Sequence, residues 1–207
     1  MSALLPTFGA DDVETLESEQ VFQGYFSLRR DTLRHRRFNG GWTAPFRREV
    51  FDRGDAVGVL PWDPVSDQVI LIEQFRPGAM RGDNSPWMFE LIAGIVEPNE
   101  DDETVAHREA EEEAGCHLDR LRLIHTFYPS AGGCSEQIRL FMGRLVAADV
   151  GAVRGVADEF EDILVHTVSR TNAIAWLDAN KIDNGHTLIA LQWLARHGET
   201  LRQEWLK

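Results

Sequence analysis

Cysteine is scarce in this chain of 207 residues, which contains two, Cys116 and Cys134. Two thiols cannot build the disulfide framework of a small secreted domain, and they suit a reducing compartment. Long apolar runs are missing as well. None approaches the roughly 18 residues that a membrane-spanning helix requires. The start, MSALLPTFGADDVETLESEQ, lacks a basic segment followed by an apolar one, so it does not read as a secretion signal. These absences predict a cytoplasmic protein. Positive charge is also in short supply. Lys and Arg number 21 against 34 Asp and Glu, for a net charge of −13. That balance argues against an open nucleic-acid or anionic-membrane surface. A small phosphorylated substrate remains compatible with it, because bound cations and a few local arginines offset the field.

What is present reads as an ordinary globular chain, with hydrophobic residues at 43% and charged residues at 27%. No internal repeat or low-complexity tract interrupts it. Residues 1–53 differ in texture, being rich in arginine and aromatics, and read as a small N-terminal β-arm. Asn39-Gly40-Gly41 marks a turn there between extended segments around Val21–Arg36 and Phe46–Arg53. Residues 54–207 form the main domain. Short apolar runs bounded by turn residues follow one another: AVGVLPW, QVILIEQF, WMFELIAGIV, LRLIHTFYP, IRLFMGRL and DILVHTVS. Each suits a buried or half-buried strand. A helix-compatible acidic segment lies between the third and fourth and stops at Gly115. Two more helices are expected at the end, TNAIAWLDAN and HTLIALQWLARH, the latter stopping near Gly198. Strands, one inserted helix and closing helices predict an α+β chain built as an α-β-α sandwich.

The acidic segment carries the chemistry. On a helix, Glu109 and Glu113 sit at i and i+4 with Glu112 on the same face, while Glu111 points away. Like charges at that spacing weaken a free helix, and a hard divalent cation bound to their oxygens offsets the cost. The flanks extend the pattern: Gly94, five residues, Glu100, seven residues, Arg108-Glu109-Ala110, one residue, Glu112-Glu113, one residue, Gly115-Cys116. Gly94 permits close backbone approach at the end of a strand. Arg108 stands where it can pair with Glu100 or an acidic neighbour. Ala106, Ala110 and Ala114 form a small-residue stripe suited to packing the helix on a sheet.

This spacing resembles the signature of the Nudix hydrolases, GX5EX7REUXEEXGU, at every fixed position, with Cys116 a mild variation in the last place. The resemblance implies a Nudix-type α-β-α sandwich that hydrolyses a nucleoside diphosphate linked to a further group. It also implies a divalent metal, magnesium with manganese as the alternative. Glu109, Glu112, Glu113 and the Ala93 carbonyl match metal-ligand positions, and Gly94, Glu100, Arg108 and Gly115 match structural ones.

Over nearly its full length the chain is similar to ADP-ribose pyrophosphatases of the bacterial dimeric type. The stretches that carry the likeness are TFG, GYFSL, FRREVFDRG, LIEQFR, SAGGCSE, ADEFEDI, KIDN and IALQWL. The likeness implies Mg²⁺-dependent cleavage of ADP-ribose to AMP and ribose 5-phosphate. It further implies a homodimer whose N-terminal arms reach the partner's site. Tyr25, Phe26, Arg48, Glu49 and Arg53 match the nucleotide contacts of that arm, although Tyr25 and Phe26 alone would read as ordinary strand residues. Arg76 matches a phosphate contact. Ile95, Ser130, Ala131, Gly132 and Glu136 match further substrate positions. Glu159 matches a general base and Glu161 another metal ligand. The chain departs from the pattern before its Gly-Gly pair, where Ala131 replaces the usual proline. That departure keeps a second substrate class open, GDP-mannose or another nucleotide sugar. A catalytically silent nucleotide sensor is the third reading, although none of the motif acids is lost.

Overall fold

The computed structural model describes residues 5–81, 85–148, 152–156 and 160–207. The chain divides into two compact units. One comprises the chain up to Gly54 together with Tyr128–Glu136, and the other comprises Asp55–Phe127 and Gln137–Lys207.

The first unit is an antiparallel sheet of three strands in sequential order: β1 (Val13–Gln23), β2 (Ser27–His35) and β3 (Phe46–Asp52). The segment expected to run extended over 21–36 is in fact broken. Gly24 N–H donates to the Phe26 carbonyl at 2.8 Å, and Gln23 then pairs with Ser27. β1 escaped the sequence reading because its sequence, VETLESEQVFQ, does not alternate apolar and polar residues. Its sheet is held by the backbone ladder and by cross-strand polar pairs such as Ser18–Asp31 and Arg34–Glu14. The expected turn at Asn39-Gly40-Gly41 is present, with both glycines at positive φ. The loop 128–136 is sewn to β3. Phe51 N–H donates to the Gly133 carbonyl, Ser135 N–H donates to the Phe51 carbonyl, and the Ser135 hydroxyl donates to Asp52 at 2.8 Å.

The second unit is a mixed sheet between helical layers. Its elements run β4 (Ala56–Asp63), β5 (Gln68–Phe75), β6 (Trp87–Glu90), β7 (Ile92–Ile95), α1 (Asp102–Ala114), β8 (Cys116–Phe127), β9 (Ile138–Ala148), β10 (Val153–Arg154), β11 (Ile163–Ser169), α2 (Arg170–Asp178) and α3 (Gly185–Trp205). The strand order is β10-β11-β5-β4-β9-β8, and only β4 and β9 run parallel. Continuous apolar runs arise because both faces of this sheet are covered. Leu60, Trp62, Val69, Leu71, Leu140 and Met142 pack toward Ala190, Leu191 and Leu194 of α3. Their neighbours Val57, Val59, Ile70, Ile72 and Phe141 pack toward Val105, Ala106, Ala110 and Ala114 of α1. The period of two along each strand thus feeds two cores.

β4 and β5 pair only at one end, through Trp62–Val69 and Asp63–Gln68. Beyond that they splay, and each takes a new partner: β7 joins β4 and β6 joins β5. The single run WMFELIAGIV is therefore two strands, joined at Leu91. This opening in the sheet lets β7 lie beside α1.

Helix α1 begins at Asp101, whose carboxylate accepts from the Thr104 N–H at 3.0 Å, with Asp102 and Glu103 in the favoured first turn. It ends at Gly115 in the left-handed region, φ 56°, as expected. α3 overruns the expected stop: it continues through Gly198 to Trp205. Gly198 is there for packing rather than termination, since a Cβ would stand 3.2 Å from the Arg170 guanidinium. Among the described residues no helix is long and apolar enough to cross a membrane.

Candidate active site

The carboxylates of α1 converge with one arginine. Arg108 forks onto Glu100, Nε to Oε1 at 2.9 Å and Nη2 to Oε2 at 3.2 Å. Its Nη1 reaches Glu109 at 2.7 Å and Glu112 at 3.1 Å. The Glu100 hydrogen bonds come first among the effects that raise the Arg108 pKa, and the same pairing draws Glu100 below its ordinary value. Three motif acids therefore share one rigid, planar cation.

Glu113 faces inward and is 3% exposed. Its Oε2 accepts from the Ala93 N–H at 3.1 Å, tying α1 to β7. Burial, joined by the charges of Glu109 and Glu161, pushes its carboxyl well above the usual carboxylate range. Glu109 shifts the same way, through burial first and then through Glu112 and Glu161, despite Arg108. The fold has gathered more negative charge here than its own cations neutralise. Gly94 stands against this group, and a Cβ on it would overlap the Glu109 carboxylate. Its φ is not positive, so the glycine serves close approach rather than an unusual backbone turn.

Glu161 joins from the segment before β11, its Oε2 accepting from the Val156 N–H at 3.1 Å. Its charge reaches Glu109, Glu113 and Arg76. The expected base Glu159 lies outside the described residues. Among the described residues no three acidic, histidine or cysteine side chains form a coordination shell by themselves. The reason is local: each carboxylate turns to its own donor, Glu109 and Glu112 to Arg108, Glu113 to Ala93, Glu161 to Val156. The donor set nonetheless fits a hard divalent cation, because crowded carboxylate oxygens whose pKa values are raised at Glu109 and Glu113 are what such an ion relieves. Ala93 and Ile95 flank Gly94 on β7, opposite Gly58 and Ala56 of β4. Arg76 lies just beyond β5 and forks onto Glu90, with Nε at 3.0 Å and Nη2 at 2.8 Å from the same oxygen.

The remaining expected residues belong to the first unit. Tyr25 is exposed and stands edge-on to Phe26 with ring centres 4.7 Å apart; Phe26 in turn meets Phe51 at 5.2 Å. The Arg53 guanidinium lies 5.2 Å over the Phe26 ring and pairs with Glu136, which is 6% exposed, at 3.3 Å. Tyr25, Phe26, Arg53 and Glu136 thus form one aromatic and guanidinium cluster. Arg48 and Glu49 stand elsewhere on the sheet, Arg48 stacked 4.6 Å over Phe46 and Glu49 paired with Arg30. Ser130, Ala131 and Gly132 are exposed, and the Ser130 carbonyl accepts from Gly133 and Cys134 N–H groups, which shapes the loop.

Sequence reasoning passed over Glu90, Asn184 and Arg139. Arg139 bonds Asp55 at 2.7 Å and Asp102 at 3.2 Å, which pins the start of α1 to the sheet. Glu90 did carry a signal, as the lone charge inside an apolar run.

The NUDIX domain model matches residues 52–194. The chain is 46% identical over 199 residues to the ADP-ribose pyrophosphatase of Escherichia coli (strain K12), covering 96% of this chain and 95% of that protein. The ADP-ribose pyrophosphatase of Haemophilus influenzae is 42% identical, over 96% of this chain and 93% of its own. The GDP-mannose pyrophosphatase of Yersinia enterocolitica is 32% identical, over 90% and 96%. A crystal structure of an ADP compounds hydrolase superposes with a TM-score of 0.68 at 19% identity, covering 93% of this chain and 99% of that one, which shows a shared fold. With the motif geometry in place on α1 and these likenesses along almost its whole length, the chain belongs to the Nudix family.

Proposed function

We propose that this protein hydrolyses the diphosphate of ADP-ribose, releasing AMP and ribose 5-phosphate, with Mg²⁺ as its cation. The observation that carries the reading is the gathering of the buried Glu113 carboxylate with those of the half-buried Glu109 and Glu161, beside the Arg76 guanidinium. Such a site suits a diphosphate, whose negative charge would be met by a bound cation and by the arginine. Glu109, Glu113, Glu161 and the Ala93 carbonyl would hold the metal, with Glu112 in support. The bound cation supplies polarisation of phosphorus and a lowered pKa for the attacking water. Arg76 binds phosphate oxygen through the guanidinium edge that Glu90 leaves outside its fork. Glu159 takes the proton from the attacking water as general base.

The nucleoside end is met by the first unit, each arm reaching the site of the partner subunit in a homodimer. Tyr25, Phe26 and Arg53 offer ring faces and a guanidinium plane to adenine, and Glu136 accepts from sugar hydroxyls. Arg48 and Glu49 contribute from the same sheet. The protein acts as a homodimer through this unit, a reading supported by the exposed apolar side chains of Val13, Leu16 and Phe22 on β1. Cytoplasmic residence agrees with Cys116 and Cys134 remaining thiols.

A turnover panel tests the substrate: ADP-ribose and GDP-mannose at equal concentration with Mg²⁺, products resolved by chromatography. AMP release from ADP-ribose with a kcat/KM at least tenfold higher is expected. Preference for GDP-mannose would overturn the substrate, and binding of ADP-ribose without product would overturn the enzyme. The greater identity to the ADP-ribose pyrophosphatases favours the first substrate despite Ala131.

A further inference from the structure

Glu90 is a charged group at the end of β6, 4% exposed and surrounded by the core. A carboxylate in that position is strongly unfavourable unless its lone pairs are filled. They are filled by three side chains, two from the end of β5 and one from the start of α3. Arg76 donates from Nε and Nη2 at 3.0 and 2.8 Å, Gln74 donates at 3.4 Å, and the Asn184 amide donates at 3.0 Å. Asn184 is itself fixed. It is the N-cap of α3, its oxygen accepting from both the N–H and the hydroxyl of Thr187 at 3.0 Å. The Thr187 hydroxyl accepts in turn from the Leu91 N–H at 2.8 Å, the residue next to Glu90. The chain Arg76–Glu90–Asn184–Thr187–Leu91 closes on itself, and it absorbs the KIDN segment, which no step of the reaction uses.

We propose that Glu90 and Asn184 are positioning residues that hold the Arg76 guanidinium in place for the substrate diphosphate. The assignment rests on the reading of Arg76 as a phosphate contact in an ADP-ribose hydrolase. The physical need is specific. Arg76 stands within reach of the charges of Glu113 and Glu161. A long, unrestrained cation beside that acidic group would fall onto it, occupying the place of the metal and withholding itself from phosphate. The two-point grip of Glu90 on Nε and Nη2 opposes this collapse. It fixes the guanidinium plane and leaves Nη1 outside the fork. Asn184 keeps Glu90 from turning with its arginine, because its amide is locked by the start of a 21-residue helix.

Steady-state kinetics and equilibrium binding of ADP-ribose to chelator-treated protein test the assignment. Glu90→Gln is expected to raise KM for ADP-ribose and the Mg²⁺ concentration at half-maximal rate together, and to cut kcat/KM about 100-fold. Binding of ADP-ribose without metal should weaken in parallel. Asn184→Ser retains an oxygen that caps α3 but loses the amide donor. It should leave Tm unchanged while raising KM about fivefold, the worth of one hydrogen bond. The decisive arm is a double-mutant cycle: Arg76→Ala with Glu90→Gln should be no slower than Arg76→Ala alone. Multiplicative losses in a protein whose wild type releases AMP from ADP-ribose would overturn the positioning role alone. A wild type that fails to release AMP would overturn the functional reading and this assignment with it. If Glu90→Gln does not fold, an Asn184→Ser protein with unchanged KM overturns the role by itself.

Discussion

The Glu109 carboxylate occupies the space in which a side chain on Gly94 would have to stand. Gly94 is on β7 and Glu109 is on α1, so the motif's first glycine and its first helical acid are two sides of one contact. Gly94→Ala must displace Glu109 from Arg108, or α1 from the strand. Turnover should fall about 100-fold or more, since a shift near 1 Å in a reacting group costs that much. Assay of the folded variant, judged by circular dichroism, checks this; wild-type turnover would show that Glu109 is free to move without consequence.

Removing the charge at Glu113 separates stability from activity. Its pKa and that of Glu109 are raised in the folded protein, by burial first, from an ordinary value of 4.5. The fold therefore favours their protonated forms. Their contribution is fully present below about pH 4.5 and is lost as pH rises through the raised values. In chelator, Glu113→Gln should melt on the order of a few degrees above wild type at neutral pH, with the gap closing toward pH 4.5. Its turnover with Mg²⁺ should fall by orders of magnitude. Thermal melts at several pH values, beside one rate assay, decide it.

Saturating Mg²⁺ should reverse that order. A cation that binds the folded state alone stabilises it by mass action, about 2.7 kcal/mol at 100 times its dissociation constant. The wild-type Tm should climb with Mg²⁺ and the Glu113→Gln Tm should climb far less. Equal climbs in both would show that Glu113 does not hold the ion.

Arg108→Lys tests the shared arginine. Lysine keeps the charge but cannot fork onto Glu100 while reaching Glu109 and Glu112. Loosened carboxylates should raise the Mg²⁺ requirement about tenfold and lower kcat by a similar factor. A titration of rate against Mg²⁺ reads both.

In the first unit, Arg53 and Arg48 should differ. Arg53 covers Phe26 and pairs with the buried Glu136, so Arg53→Ala should raise KM for ADP-ribose strongly and also lower Tm. Arg48 is exposed and lies on Phe46, so Arg48→Ala should raise KM by a few-fold with Tm unchanged. Paired KM and Tm measurements distinguish them, and equal effects on both would dissolve the distinction.

The motif was legible because its spacing is local. Glu109, Glu112 and Glu113 fall on one face of any helix, and Gly115 ends that helix wherever it is placed. The two-faced sheet was legible in runs such as QVILIEQF. β1 was not, because an edge strand held by its ladder and by charge pairs needs no apolar alternation. Gly198 misled for a related reason: a glycine placed for close packing and one placed for termination look alike until the neighbour, Arg170, is known.

The sequence by itself determined the acidic helix, since 3.6 residues per turn converts spacing directly into a face, and the reaction class followed from the resemblance of that spacing to the Nudix signature. Tertiary structure alone decided how that charge is held. Glu90 and Asn184 are 94 positions apart and meet only because β4 and β5 splay to admit β6 beside the start of α3. The same is true of Glu161, which lies 48 positions beyond Glu113 and is brought within reach of its charge from the segment before β11. Local periodicity describes a helix; the burial that raises two pKa values, and the grip that steadies Arg76, come from elements that sequence distance keeps apart.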